Sequence, residues 1–192
     1  MKMKKPLGYY NYTVVLTYLG MLMAFTGILF AFNENYSYSI IFLIGAGICD
    51  MFDGAVASTK ERDDLEKKFG IQIDSLSDLV SFGIMPAVFV YMISGRTLIS
   101  GLIAALYSLA ALIRLAYFNV SEEERQKTTN ERRKSYLGMP VTTISILMPL
   151  AYLIQYRIGV QDMRVYLILL ILCAICFLLP VEVKKFDIVS KF

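Results

Sequence analysis

The sequence predicts an all-α membrane protein, a polytopic bundle of about six transmembrane helices in one domain (1–192), with both termini in the cytoplasm. Three observations predict this class. The chain is 57% hydrophobic, with a mean hydropathy of +0.57. Its apolar runs are each close to the ~20 residues that a helix needs to cross a bilayer. Its charged residues gather in short segments between those runs, so we expect a multi-pass protein of the cell membrane.

Six apolar runs are long enough to be transmembrane helices. They cover residues 10–32, 38–58, 70–94, 97–119, 139–157 and 164–181. The first run follows Met-Lys-Met-Lys-Lys, as the apolar part of a secretory signal would. It is too long for such a signal and has no small-residue cleavage site, so we expect it to remain as the first helix of the bundle.

The lysine and arginine residues predict how these helices are oriented. Fifteen of the 19 lie at the N-terminus, in the loops at 59–69 and 120–136, or in the C-terminal tail. Three lie on the opposite side, and Arg114 lies within the fourth run. By the positive-inside rule, both termini and the two charged loops face the cytoplasm.

The charge balance indicates which partners to expect. The formal net charge is only +3, with acids mixed among the bases, so we expect no nucleic acid partner. The basic loops instead suit the anionic headgroups of membrane lipids. The three cysteines, Cys49, Cys173 and Cys176, all lie within predicted spans, where apolar packing explains them better than disulfides or metal binding.

Four aspartates lie inside the second and third runs, at Asp50, Asp53, Asp74 and Asp78. At about 1.5 Å per residue, both pairs fall roughly 6 to 12 Å below the same cytoplasmic surface. Spacings of three and four residues put each pair on one helix face. Carboxylates at one depth in a bilayer repel each other and are costly unless they are neutralised. Arg114, near the cytoplasmic end of the fourth run, supplies just one positive charge.

Divalent cations meet this need better than one arginine does. Oxygen ligands suit Mg²⁺ or Mn²⁺, and the sequence contains no histidine, which argues against zinc. A single acid in a span is often a helix–helix hydrogen bond, but four at matched depth are not explained that way. Cation transport is an alternative, although transport sites favour the midplane. A non-catalytic scaffold is a third hypothesis, and it leaves the buried charge unexplained.

The pattern around the aspartates resembles the signature of the CDP-alcohol phosphatidyltransferase family. In this chain it runs Asp50, two residues, Asp53, Gly54, two residues, Ala57, then Gly70, three residues, Asp74, three residues and Asp78. Within the family, "IDSLSDLVSFGIMPA", "RLAYFN" and "YLGMPVT" are similar to the phosphatidylserine synthase branch. Six spans with cytoplasmic termini also match the family, so the resemblance covers nearly the whole chain.

Two positions depart from the family pattern. Ser58 stands where the family has arginine, and the loop before Gly70 has eleven residues in this chain where the family has about eight. Lys60 and Arg62 are both candidates to take the place of that arginine on the nucleotide phosphates.

The resemblance also implies an activity and a set of site residues. It implies a homodimer that transfers a phosphatidyl group from CDP-diacylglycerol to L-serine, with glycerol phosphate or inositol phosphate as alternative acceptors. The four aspartates would hold Mg²⁺ or Mn²⁺, and Asp78 would also be the general base, for which a chain without histidine needs a carboxylate. The substrate-binding residues would be Gly54, Ala57, Ser58, Gly70, Arg114 and Lys134.

Two of these basic residues allow more than one role. Arg114 is either a counter-ion to the acids or a ligand for a phosphate or the serine carboxylate. Lys134, with the other bases before the fifth run, either binds phosphate or only sets the topology.

Overall fold

The computed structural model describes residues 7–128, 135–159, 162–180 and 182–184. The elements follow in the order α1 (Tyr12–Phe32), α2 (Tyr36–Ala57), α3 (Asp64–Asp78), a π-helical segment (Leu79–Ile84), α4 (Met85–Ile93), α5 (Leu98–Thr128), β1 (Ser135–Leu137), a 3₁₀ turn (Val141–Thr143), α6 (Ile144–Ile158), α7 (Arg164–Leu178) and β2 (Glu182–Lys184). The two short strands pair with each other in antiparallel register. Apart from this one short pairing the described elements are helical, so the predicted all-α bundle is confirmed.

The helices have the lengths and composition of membrane spans. Within the described ranges, five stretches are long and apolar enough to cross a bilayer, and α3, the π-helical segment and α4 together form one of them. The sixth predicted span corresponds to α7, which has 15 residues and is shorter than a full span. A polytopic membrane protein is thus confirmed, whereas the count of six spans stays a prediction.

Two helices extend further toward the charged loops than hydropathy predicts. The third run is predicted from residue 70, but α3 begins at Asp64, where the Asp63 carboxylate caps the helix by accepting from the Glu66 N–H at 2.7 Å. The fourth run is predicted to end at residue 119, but α5 continues to Thr128. Ion pairs three residues apart, such as Arg125–Glu122 at 2.6 Å, support that polar extension.

The two ends of the bundle carry different contacts. At one end the Asn11 side chain, which caps α1, donates to Glu66 of α3, and the Met139 N–H donates to Cys176 O of α7. At the other end Arg96 pairs with Glu34 at 2.7 Å. The described parts of the two predicted cytoplasmic loops, 59–69 and 120–128, lie at one end of the bundle, while the assignment of that end to the cytoplasm stays a prediction.

The π-helical segment begins directly after Asp78 and ends just before Pro86. Proline has no N–H, so it cannot donate to the carbonyl of Phe82 four residues earlier. The hydroxyl of Tyr107, on α5, donates to that carbonyl at 2.6 Å. Ser108, the next residue on α5, donates to Gly83 O at 3.2 Å. Side chains of α5 thus satisfy backbone groups at the point where the helix of the third span changes its register.

The apolar core lies beyond the aspartates, toward the opposite end of the bundle. The buried ring of Phe89 makes edge-on contacts with Tyr36, Tyr152 and Tyr166, which come from three other helices. Large apolar side chains cover the outer surface instead, which suits a lipid environment. They include Leu22, Ile41, Leu106, Ile146 and Leu172, each more than half exposed.

We expect Tyr107→Phe to destabilise the protein by about 1–3 kcal/mol, because it removes the hydroxyl that donates to the Phe82 carbonyl, whose usual helical donor is missing at Pro86. Tyr107 is completely buried, so water cannot replace the lost hydroxyl. The measurement is the midpoint of thermal unfolding in detergent. Tyr117→Phe is the control because its ring lies on the exposed surface of the same helix. Equal midpoints for both variants would contradict the role given to Tyr107.

Candidate active site

The four predicted aspartates converge at the end of the bundle that carries the charged loops. Carboxylate oxygens of Asp50, Asp74 and Asp78 all lie within 4.8 Å of one another. Asp53 interacts with Asp74 across the hairpin and accepts a hydrogen bond from the Thr17 hydroxyl of α1 at 3.1 Å. The helical spacing that predicted two matched pairs therefore produces a single cluster between α2 and α3.

The cluster has the chemistry of a site for a hard divalent cation. Its members are partly buried oxygen donors, and like charges this close are unfavourable without a neutralising partner. In the part of the chain that the structure describes, none of the four aspartates forms an ion pair with lysine or arginine. Carboxylates in this number and at this spacing fit Mg²⁺ or Mn²⁺.

One cavity, which we call the hairpin cavity, opens between α1, α2 and α3 and has a volume of about 320 Å³. Two aspartates of the cluster, Asp53 and Asp74, form part of its wall, and Arg62 and Lys67 are its basic residues. Three of the predicted substrate-binding residues, all of them small, also line it, namely Gly54, Ala57 and Gly70. A volume of this order is within the range of small-molecule sites.

A second cavity, the Arg114 cavity, has a volume of about 350 Å³. The other two aspartates, Asp50 and Asp78, lie in its wall together with Arg114, and residues 140–142 close it from the start of α6. Each cavity therefore includes two of the four aspartates, and the cluster belongs to both.

Arg114 is held in place by the backbone that precedes α6. It is 7% exposed, its Nε donates to Met139 O at 3.3 Å, and its Nη2 donates to Gly138 O at 3.4 Å. Gly138 has a φ of +79°, and a Cβ there would lie 3.3 Å from Arg114 Nε and 3.1 Å from Phe177 O. Glycine is required at this position both for its conformation and for the close approach of the arginine.

Of the predicted substrate-binding residues, Ser58 lies apart from these cavities and Lys134 cannot be placed. Ser58 follows the last turn of α2, and its hydroxyl donates to Ala55 O at 2.7 Å. It is not among the residues that line either cavity. Lys134 lies outside the described residues, so its predicted contact with phosphate stays a prediction.

The structure adds site residues that the sequence argument did not single out. Thr17 binds Asp53, Lys67 lines the hairpin cavity, and Phe118 lines the Arg114 cavity with its ring 5.9 Å from the guanidinium carbon of Arg114. Thr17 carries a signal that could have found it: it lies four residues after Thr13, on the same face of a predominantly apolar helix.

The fold and the site together define a polytopic membrane protein with a carboxylate cluster, suited to divalent cations, between two cavities. The family model for CDP-alcohol phosphatidyltransferase matches residues 10–179. The chain belongs to the CDP-alcohol phosphatidyltransferase family, and the resemblance stated from its motifs is confirmed.

Curated relatives carry closely related names. The chain is 34% identical over 126 residues to the CDP-diacylglycerol–serine O-phosphatidyltransferase of Saccharomyces cerevisiae, covering 64% of this chain and 45% of that protein. It is 30% identical over 148 residues to the protein of the same name from Helicobacter pylori, covering 76% and 57%. It is 31% identical over 139 residues to the archaetidylserine synthase of Methanothermobacter thermautotrophicus, covering 70% and 56%. The chain thus spans about half the length of these relatives.

If the hairpin cavity holds the nucleotide of a CDP-linked substrate, Gly54→Ala should weaken that binding without destabilising the protein. A Cβ at Gly54 meets no protein atom within 4 Å, and alanine in a helix is favoured over glycine by about 0.5–1 kcal/mol. Any loss of affinity must then come from contact between the new methyl group and the ligand. The measurements are thermal unfolding and the Kd for CDP.

Gly101→Ala is the matched control, because its Cβ would meet Tyr91 of α4 at an ordinary 3.5 Å, far from the aspartates. The steric role of Gly54 is refuted by a Gly54→Ala protein that unfolds earlier than the wild type, or by one that binds CDP with unchanged affinity.

Proposed function

We propose that this protein transfers a phosphatidyl group from CDP-diacylglycerol to the hydroxyl group of L-serine, forming phosphatidylserine and releasing CMP. Membership of the family supports a CDP-linked donor, and the names of the relatives support serine as the acceptor. The observation that carries the proposal is the shared position of the carboxylate cluster, which contributes two aspartates to each of two cavities. Such an arrangement allows two substrates to meet at one charged centre.

The hairpin cavity is the proposed binding site for the nucleotide of the donor. Its small residues allow a ring to lie against the backbones of α2 and α3, while Arg62 and Lys67 supply positive charge for phosphate oxygens. The exposed apolar flanks of the helices suit the acyl chains of a donor that is dissolved in the bilayer.

The Arg114 cavity is the proposed binding site for serine. Asp78 lies in its wall and accepts the proton of the serine hydroxyl as that oxygen attacks the phosphatidyl phosphorus. The bond between this phosphorus and the oxygen of CMP then breaks, and CMP leaves with the electron pair. The guanidinium of Arg114 suits the carboxylate of serine or a phosphate oxygen, since it presents several donors in one plane.

Mg²⁺ or Mn²⁺, held when bound by Asp50, Asp53, Asp74 and Asp78, would offset the charge of the donor diphosphate and stabilise the departing CMP. The chain's own contribution is to keep these carboxylates together. The hydrogen bond from Thr17 orients Asp53, and the hydroxyl of Ser77, beside Asp78, fixes α3 against α1 by donating to Thr17 O at 3.1 Å.

The location and the assembly of the protein belong to the same proposal. We place one domain (1–192) in the cell membrane with its site facing the cytoplasm, where serine is dissolved. The concentration of lysine and arginine in the loops at the site's end supports this orientation. The family resemblance implies a homodimer, which cross-linking in native membranes can test.

We expect the purified protein to release CMP from CDP-diacylglycerol when L-serine is added with Mg²⁺ or Mn²⁺. The acceptor panel is serine, glycerol 3-phosphate and inositol phosphate, and the measurement is the rate of CMP release. EDTA should stop the reaction, and added metal should restore it. CMP release with glycerol 3-phosphate or inositol phosphate, but not with serine, would contradict serine as the acceptor. Unchanged release in EDTA would contradict the role of the aspartates.

We expect Asp78→Asn to lower kcat by about 10²- to 10⁴-fold, the usual contribution of a general base. The affinity for the CDP-lipid should be largely retained, because Asp50, Asp53 and Asp74 would still hold the cation, and Asp78 lies in the wall of the other cavity. Asp64→Asn is the control, since it removes a carboxylate at the exposed start of the same helix. A Asp78→Asn protein that loses turnover and donor binding equally would make Asp78 chiefly a metal ligand.

A further inference from the structure

We propose that Arg62 binds a phosphate of the nucleotide donor from a position against the small residue Gly70. This inference rests on the proposed function for the nature of the donor, and it assigns phosphate recognition to one residue of the long loop between α2 and α3. The loop offers other cations, so the choice of Arg62 has to come from the contacts that each one makes.

The charge of the hairpin cavity creates the need for such a residue. Asp53 and Asp74 form one part of its wall, so an anionic diphosphate entering it requires positive charge on another side. Arg62 and Lys67 are the basic residues that line it. A guanidinium can hold two phosphate oxygens at once, whereas an ammonium acts as a point charge.

The position of the Arg62 side chain relative to α3 supports the assignment. Its Nη1 lies 3.0 Å from the point where a Cβ on Gly70 would be. Gly70 and Asp74 are four residues apart in α3, so both lie on one face of the helix. The guanidinium therefore lies beside the α3 residue that is one helical turn before Asp74, in the wall of the same cavity. A Cβ at residue 70 would require the guanidinium to move from this position.

The neighbouring lysine is already engaged in another interaction. Lys60 Nζ pairs with Glu66 Oε1 at 2.9 Å, and Glu66, which is 7% exposed, also accepts from the Asn11 side chain at the start of α1. The first contact ties the loop to α3, and the second ties α3 to the start of α1. Among the described side chains, Arg62 itself has no acidic partner within ion-pair distance. Of the two cations proposed from the sequence, Arg62 is thus the one that faces the cavity.

We test the proposal by measuring the Kd of the purified full-length protein, in detergent with Mg²⁺, for CDP, CMP and cytidine. Arg62→Gln should weaken CDP binding by about 10- to 100-fold, the loss expected for hydrogen bonds to a charged group. Cytidine binding should stay within about twofold of the wild type, which also shows that the variant is folded. The CDP affinity of Arg62→Lys should fall between those of the wild type and Arg62→Gln, because lysine keeps the charge but lacks the planar guanidinium.

Lys68→Gln is the matched control, since it removes one positive charge from the same region at an exposed residue that does not line the hairpin cavity. Equal CDP affinities for Arg62→Gln and Lys68→Gln would overturn the proposal. So would an equal loss of CDP and cytidine binding in Arg62→Gln.

The role of Gly70 is tested by combining two substitutions. If a Cβ at residue 70 acts by displacing the guanidinium, Gly70→Ala should weaken CDP binding in the wild type and have little further effect in Arg62→Gln. An equal loss in both backgrounds would mean that the methyl group obstructs the ligand directly, and would overturn the link between the two residues.

These binding measurements need no acceptor, which separates this inference from the proposed function. A protein that binds CDP through Arg62 but transfers nothing to serine would contradict the proposed acceptor and support the role of Arg62. A wild-type protein that binds CDP no better than cytidine would contradict this inference, whatever its activity.

Discussion

The repulsion between four carboxylates is the constraint on which the rest of this structure depends. The acids lie in two membrane-spanning stretches, with oxygens of three of them within 4.8 Å of one another. Charge at that depth is costly unless it is neutralised or hydrogen-bonded. The protein's own groups do this in part, through the hydroxyl of Thr17 on Asp53. The remaining repulsion is relieved by a bound cation, so the arrangement that is unfavourable for the carboxylates alone favours cation binding.

Such a cluster needs rigid support, and the third span supplies it through an irregular segment. The π-helical segment starts at the residue after Asp78, so the register of the helix changes just beyond the site. The carbonyl left without a backbone donor by Pro86 is bonded to Tyr107, and α5 also carries Arg114 two turns further along. Helix α5 thus contacts the third span just beyond Asp78 and also carries Arg114, the basic residue of the Arg114 cavity. The contacts that stabilise this irregular segment help to set the position of Arg114 relative to Asp78, together with the carbonyls of Gly138 and Met139 that hold its guanidinium.

The sequence predicted the parts of the site that depend on local geometry. Helical spacing of three and four residues was enough to put Asp50 with Asp53 and Asp74 with Asp78, because α2 and α3 are regular there. It could not choose between Lys60 and Arg62, which differ little in local context. That choice depends on Glu66 and on Asn11, a residue far away in the chain. The extension of α5 was missed because hydropathy detects the apolar part of a helix and not its charged continuation.

The two cavities also bear on the kind of transfer that the proposed reaction can use. A transfer in which one product leaves before the second substrate binds would need a nucleophile in the chain to carry the phosphatidyl group meanwhile. In this protein Asp53 and Asp74 face one cavity while Asp50 and Asp78 face the other. Donor and acceptor can then be bound together, with the reacting phosphorus between them at the cluster. Direct transfer also protects the phosphatidyl group from water, because the acceptor occupies the space from which water would attack. The division of the aspartates between the cavities is therefore better suited to direct transfer than to a covalent intermediate.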